Sequence, residues 1–353
     1  MRTQIMALTG GKNQGDVSAM LAQAGRIIKD GGLVAFPTET VYGLGGDALN
    51  MESSRKIYEA KGRPSDNPLI VHIADMEHFE KIVSKVPEKA RKLAEAFWPG
   101  PLTMIMEKAP IVPYRTTGGL DTVAVRMPGH PIALAFIKEA GGYVAAPSAN
   151  LSGKPSPTTA KYVIQDMDGR IDMILDADSG ETIGIESTIV DLTGETPMIL
   201  RPGFITREMI SAVVGKTDID AAVFDDASKQ PPKAPGMKYR HYAPQGELVI
   251  VEGEPGKVAS YINAQTAAHA RNGERTGVIG TSEMIEKYRA DSIKDAGSRS
   301  DIVSAGSRIY TFLREFDDEQ IDFIYSESFE STGVGQAIMN RLLKAAGHRC
   351  VQV

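Results

Sequence analysis

LVAFPTETVYGLGG, Leu33 to Gly46, carries an apolar strand into a proline turn, sets hydroxyls at Thr38, Thr40 and Tyr42, and closes on a glycine-rich bend. Four apolar residues stopped by a proline read as a buried strand. A loop so dense in hydroxyls can hold a polar ligand. Outward from it, between about residue 18 and residue 215, LVAF, LIVHI, LTMIM, TVAVRM, YVAA and STIVDL read as strands, with helices over 52–61 and 87–97. That mixture predicts an α/β domain over residues 1–215 with a twisted, mostly parallel open sheet. Residues 216–246 change character: DDASKQPPKAPGMKYRHYAP holds four prolines and few aliphatic residues, as an interdomain linker does. Beyond it, ELVIVEG, a helical 257–272, TGVIG, a helical 301–316, IDFIYSES and a helical 335–346 alternate again. They predict a smaller Rossmann-like α/β domain over 247–353.

The chain has 353 residues, a length that suits two domains, and its 42% hydrophobic and 24% charged residues lie in the globular range. A formal charge of -6 opposes a broad nucleic-acid coat, which needs an excess of clustered cations. The single cysteine, Cys350, builds neither a disulfide framework nor a cysteine zinc site, so a reducing cytoplasm is expected. No signal-peptide pattern and no run of 18 apolar residues is seen, so no membrane association is expected.

Several segments carry side chains suited to anions. Gly43, Gly45 and Ala48 match the relaxed dinucleotide pattern G-x-G-x-x-A, but PTETVY separates the strand from the first glycine, and a structural turn is the plainer reading. In AKGRPSDNPLIVHI, Lys61 and Arg63 close a helix and Asn67 precedes a strand; cations there are often only partners of the helix dipole. Period-two alternation puts Leu69, Val71 and Ile73 on one face and Ile70 with His72 on the other. By the same parity Thr122, Ala124 and Arg126 share a face opposite Val123 and Val125, and an arginine so placed offers a planar fork to a carboxylate. YVAAPSANLSGKPSP is rich in short donors at Ser148, Asn150, Ser152 and Ser156. Its GKPS fragment fails the phosphate-loop pattern, which requires glycine at Ser148 and a hydroxyl at Pro155. Ser187 and Thr188 start a strand, and Arg201 ends one before a Pro-Gly turn. No covalent nucleophile arrangement is evident, an inventory that suits transfer between phosphates by positioning and charge neutralisation.

Together FPTETVYGLG, KGRPSDNPLIVHI, WPGPLT, DTVAVRMP, APSANLSGKPSPT, ESTIVD and LRPG resemble the YrdC-like family of threonylcarbamoyl-AMP synthases over roughly residues 18–210. APGMKYRHYAP and GVGQAIMNRLLKAA are similar to the two-domain form of that family. The resemblance implies a sheet around a concave, cationic cavity and a nucleotidyltransferase that makes threonylcarbamoyl-AMP and pyrophosphate from L-threonine, bicarbonate or CO2, and ATP. The product would serve threonylcarbamoyladenosine formation in tRNAs reading codons that start with adenine. By motif, Thr40, His72, Arg126, Ala146 and Ser187 would surround threonine. Lys61, Arg63, Asn67, Thr122, Ser148, Asn150, Ser156 and Arg201 would hold ATP, with Lys61 and Arg63 the catalytic cations. Mg2+ is expected to arrive with ATP rather than on a protein carboxylate cluster. Tyr239, His241 and Tyr242 in the linker are candidates for a lid, with a plain docking contact as the alternative. The expected state is a cytoplasmic monomer that hands its product to the tRNA threonylcarbamoyl transferase machinery, with a direct tRNA contact open. Two rivals are weighed: a non-catalytic RNA-binding module, opposed by net acidity, and a different carbamoyl transferase of the hydrogenase-maturation or antibiotic-modifying kind. The zinc fingers attached in the hydrogenase case cannot be made from one cysteine.

Overall fold

The computed structural model describes residues 2–9, 13–177, 182–223 and 242–353. Within them the chain divides into two compact units. One is drawn from Met1–Ser152, Ser156–Thr182 and Glu186–Lys238, the other from Gly153–Pro155, Ile183–Ile185 and Tyr239–Val353.

In the first unit the strands are β1 (Gln4–Ala7), β2 (Val34–Phe36), β3 (Gly43–Asp47), β4 (Ile70–His72), β5 (Leu102–Glu107), β6 (Thr122–Arg126), β7 (Val144–Ala145), β8 (Met173–Asp176), β9 (Thr188–Asp191), β10 (Met198–Arg201) and β11 (Asp218–Ile219). The helices are α1 (Gln14–Lys29), α2 (Met51–Lys61), α3 (Met76–Ile82), α4 (Glu88–Phe97), α5 (Pro131–Glu139), α6 (Ala160–Met167) and α7 (Arg207–Val214). The strands form one open sheet in the order β1-β8-β2-β3-β7-β4-β6-β5-β9-β10-β11. Parallel pairs (β1 with β8, β8 with β2, β4 with β6, β5 with β9, β10 with β11) are interspersed with antiparallel ones, so the α/β unit carries a mixed sheet.

Local chemistry sets the elements that matter. The Asn50 side chain accepts from the Glu52 N–H to start α2, and Gly62, in the left-handed region at φ 61°, ends it. The GLGG segment, expected as a bend, is instead strand β3, pairing antiparallel with β2 through Phe36 opposite Gly43. Its glycines answer to crowding. A Cβ on Gly45 would lie 2.9 Å from the Val144 side chain, and one on Gly43 3.0 Å from the Phe36 ring. Glycines inside a strand cannot form the strand-to-helix phosphate turn, so the dinucleotide pattern at Gly43, Gly45 and Ala48 has no structural basis. The stretch expected as linker, 216–246, contains regular structure near its start. Asp218–Ile219 adds an edge strand beside β10, a two-residue strand too short for periodicity to reveal.

The second unit contains β12 (Glu247–Glu252), α8 (Pro255–Arg271), β13 (Thr276–Gly280), β14 (Ser292–Asp295), α9 (Ile302–Asp318), β15 (Phe323–Glu327), α10 (Val334–Ala345) and β16 (Cys350–Gln352). Its five strands are all parallel in the order β14-β13-β15-β12-β16. Val258 and Ile262 of α8 pack with Val251, Val278 and Tyr325. The edges β14 and β16 escape periodicity because each is short and only partly buried. The segment 153–155 joins this unit through Arg314, whose guanidinium donates to Pro155 O at 2.7 and 3.0 Å.

Candidate active site

Strand parity holds in three dimensions. Leu69, Val71, Ile73, Val123 and Val125 enter the main core, whereas Ile70 and Ala124 join a separate apolar cluster with Ile105, Ile189 and Leu200. His72 lies in register with Arg126 across β4 and β6, and Thr103 of β5 faces Arg126 from the other side. Three neighbouring strands thus bring His72, Arg126 and Thr103 together on one face.

Arg126 is the hub of this face. Its Nη1 donates to Thr40 Oγ1 at 3.0 Å, and its Nη2 lies 2.7 Å from Glu39 Oε1. Thr103 Oγ1 lies 2.8 Å from Ser187 Oγ, which in turn accepts from Arg201 Nη2 at 3.2 Å, while Arg201 Nε donates to Ser187 O at 3.1 Å. One chain of contacts and strand pairs therefore runs from Glu39 and Thr40 through Arg126, Thr103 and Ser187 to Arg201. Both arginines are buried, at 4% and 6% exposure, so neither is an edge cation facing water. Gly203 allows the LRPG turn to approach: a Cβ there would lie 2.4 Å from Thr188 N. Ala146 sits beside this group, but its N–H donates to Ile70 O at 2.9 Å, so any ligand contact from its backbone falls to its carbonyl.

A second group gathers around Lys61. The ammonium leaves the end of α2 and turns inward, donating to Ser148 O and, at 2.6 Å, to Asn150 O. Its own carbonyl accepts from Ser152 N–H at 2.9 Å, so this buried lysine staples the 148–152 loop rather than serving only the helix dipole. Ser148 Oγ donates to Asn150 Oδ1 at 2.5 Å; Ser156 is not part of this group, its Oγ donating to Glu186 Oε1 at 2.7 Å, next to Ser187 of the first. The Asn67 side chain is buried, and among the described residues neither its amide nitrogen nor its amide oxygen has a hydrogen-bond partner. Such a group costs about 1 to 3 kcal/mol unless a ligand completes it. Arg63 follows two residues after Lys61, half-buried beyond the helix cap.

The two groups lie toward opposite ends of the same strands. Thr122 starts β6 and Arg126 ends it, about 13 Å apart at roughly 3.3 Å per residue. Asn67 precedes β4 at the Thr122 end. Because β7 runs antiparallel to β4, the chain leaving it toward Ser148 and Asn150 heads to that end as well. Of the linker residues, Tyr239 and His241 lie outside the described residues. Tyr242 belongs to the second unit, its ring 5.1 Å from that of Tyr310. Glu39 and Thr103 were not singled out from sequence. Glu39 stands in PTET between two threonines that were, and Thr103 shows only as the polar residue in an apolar strand.

Electrostatics follow from burial. Burial raises the Glu39 carboxyl, but Arg126 and the Gly129 N–H together hold it below the ordinary value. Burial, reinforced by the Arg126 charge, pushes His72 down to about 3, so its ring is neutral at neutral pH. The unfolded ring titrates near 6.5, so the unfolded chain binds the extra proton in acid. Stability from neutral His72 is therefore complete above about 6.5 and lost as pH falls toward 3, by at most about 1.4 kcal/mol per pH unit. A melting temperature that declines from pH 6.5 to pH 5 is expected, with a shallower decline in His72→Gln. Identical slopes in the two proteins would exclude His72 as the source.

Buried arginines joined to small hydroxyls on one face of an α/β sheet offer forks suited to carboxylate or phosphate, the donor set expected of a protein that binds small anionic molecules. Residues 26–203 match the Sua5, YciO and YrdC family model, described as "Telomere recombination", and residues 205–347 match "Threonylcarbamoyl-AMP synthase, C-terminal domain". The chain belongs to the Sua5–YciO–YrdC family. It is 50% identical over 334 residues to the threonylcarbamoyl-AMP synthase of Bacillus subtilis (strain 168), covering 94% of each chain. It is 48% identical over 331 residues to that of Pyrococcus abyssi (strain GE5 / Orsay), covering 94% of this chain and 95% of the relative. The crystal structure of P. abyssi Sua5 complexed with L-threonine superimposes with a TM-score of 0.92 at 46% identity, covering 99% of this chain and 100% of that one. Among the described residues no group of three or more His, Cys, Asp or Glu is placed to hold a metal ion, and no helix is long and apolar enough to cross a membrane.

Proposed function

We propose that this protein is a threonylcarbamoyl-AMP synthase, a nucleotidyltransferase working in the cytoplasm on L-threonine, bicarbonate or CO2, and ATP. The carrying observation is the run of contacts from Glu39 and Thr40 to Arg126 and, across the Arg126–Thr103 strand pair, from Thr103 through Ser187 to Arg201, in a chain half identical to enzymes of that name.

Arg126 pairs the threonine carboxylate, taking over from Glu39, while Thr40, His72 and Ser187 surround the rest of the amino acid. The threonine amine adds to CO2 and loses a proton to give a carbamate. A carbamate oxygen then attacks the α-phosphorus of ATP, forming the mixed anhydride as the bond to pyrophosphate breaks. Bicarbonate enters this sequence by losing water. The chain supplies position and charge rather than a nucleophile: Arg63, Lys61 and Arg201 offset the triphosphate, and Asn67, Thr122, Ser148, Asn150 and Ser156 supply polar contacts. Mg2+ comes with the nucleotide, and the tRNA threonylcarbamoyl transferase machinery consumes the adenylate.

Pyrophosphate release should require threonine among the amino acids, together with bicarbonate and Mg·ATP. Arg63→Ala should lose at least a hundredfold in this rate while retaining the parent's melting temperature, because Arg63 lies outside the main core. Release that is equal with every amino acid would remove the threonine assignment. Undiminished turnover in Arg63→Ala would remove that residue from the mechanism.

A further inference from the structure

The strand order of the second unit marks a position that the proposed reaction does not use. From β12 the chain passes to β13 and then to β14, moving toward one edge of the sheet; from β14 it returns to β15 and goes on to β16, moving toward the other. The neighbours β13 and β15 therefore send their connections in opposite directions. In open parallel sheets the crevice outside the carboxyl ends of such a pair is where ligands bind.

The side chains at that crevice are polar, and all but Arg299 are buried. Glu327, the last residue of β15, is 1% exposed and accepts from Thr281 N–H at 2.8 Å, from Thr281 Oγ1 and from the Arg299 guanidinium. Arg299 is itself 40% exposed, so the pair leads from the interior to solvent. Gly280 ends β13 in the same place: a Cβ there would lie 2.7 Å from the Tyr288 ring and 3.2 Å from Glu327 Oε1. Tyr288 is 1% exposed, and its hydroxyl has no hydrogen-bond partner among the described residues. Burial pushes that phenol up to about 12 against the pull of the Arg299 charge, so it stays a proton donor. A buried donor without an acceptor, within the field of the Arg299 charge, suits an anion.

The chain leaving β15 adds more donors. Through Ser331, Thr332 and Gly333, all exposed, it enters the twelve-residue helix α10, whose amino end has no side-chain hydrogen bond capping it. A Cβ on Gly335 would lie 1.9 Å from Glu330 O, so only glycine permits this close turn.

We propose that the crevice between β13 and β15 binds a phosphate-bearing polyol of the nucleotide class, its phosphate on Arg299, Tyr288 and the amino end of α10 and a hydroxyl on Glu327. Donors outnumber acceptors, which selects an anion. A carboxylate keeping one of about four acceptor positions selects a ligand that also bears a hydroxyl.

The proposal is independent of the reaction assigned to the first unit, and the test separates them. Equilibrium dialysis of AMP against the full-length protein and its Tyr288→Phe and Arg299→Gln variants isolates the second site, since any AMP held by the first unit is common to all three. Each variant should bind one AMP fewer than the parent, or bind it at least tenfold more weakly, with threonine-dependent pyrophosphate release unchanged. Inorganic phosphate should bind at least tenfold more weakly than AMP. Tyr288→Phe should keep its melting temperature without ligand, because its hydroxyl has no internal bond to lose. Equal AMP stoichiometry and affinity in all three proteins would overturn the site. Phosphate binding as tight as AMP would overturn the polyol. A less stable Tyr288→Phe would show that the hydroxyl has a structural use instead.

Discussion

Arg126→Met is expected to lose threonine-dependent pyrophosphate release altogether and to destabilise the first unit by about 3 to 5 kcal/mol, the usual result of removing one member of a buried ion pair. The loss comes less from the missing contact than from the charge left behind. Glu39 is mostly buried, with 18% of its side chain exposed, and its carboxylate is kept ionised by Arg126 and the Gly129 N–H. Without the guanidinium, burial, the largest influence on this carboxyl, is opposed only by backbone N–H groups such as that of Gly129, and its pKa is expected to rise above the unfolded value. A group raised in the folded state contributes its stability below the unfolded pKa and loses it as pH rises through the folded one. The deficit of Arg126→Met relative to the parent should therefore be largest at neutral pH and shrink toward pH 4.5. Adding Glu39→Gln removes the orphaned charge, so the double variant should recover at least half of the lost stability and none of the activity. Chemical denaturation at two pH values and a pyrophosphate assay measure these effects. A deficit independent of pH would mean that the Glu39 charge is not its origin.

Gly203→Ala is expected to cost about 1 to 3 kcal/mol, as overpacking of a well-packed site does, and to lower turnover at least tenfold. The new methyl would lie 2.4 Å from Thr188 N, 2.7 Å from Thr188 Oγ1 and 2.8 Å from the carbonyl carbon of Ser187. Two of these are backbone atoms, so no side-chain rotation relieves the clash, and either the Pro-Gly turn or the start of β9 must move. Both ends of the Arg201–Ser187 contact ride on those segments. Threonine and ATP affinities should thus weaken together. A crystal structure of the variant with Arg201 and Ser187 unmoved, or turnover equal to the parent, would show that the turn tolerates the shift.

The same two arginines show where reading the chain succeeded and where it stopped. The parity of TVAVRM was enough to put Thr122 and Arg126 on one face, because side chains alternate in any strand whatever its partners. The helices that were read, such as 52–61 and 87–97, and the long central strands were legible for the same kind of reason, since 3.6 and 2.0 are local periods; α1, α3, α5, α6 and α7 were not read. Glu39 carried no such signal. An acid between two threonines is an ordinary loop residue until β6 brings Arg126 beside it, 87 positions along the chain. Lys61 read as a helix-terminal cation, and only the loop at 148–152 turned it into a buried staple. GLGG read as a bend because glycine ordinarily disfavours strands; the crowding that demands it comes from Phe36, Val144 and Ile57, which no local window contains.

By itself the sequence determined the α/β character of both halves, the face that residues of the longer strands take, and the kinship written in its motifs, all of which depend on short-range geometry or on residue identity. The strand order, the pairing of Glu39 with Arg126, the link from Ser187 to Arg201 and the crevice between β13 and β15 were decided by tertiary structure alone. Each joins segments far apart in the chain, and what selects such a pairing is the burial of charge and the exclusion of volume, which act only once the chain has closed on itself.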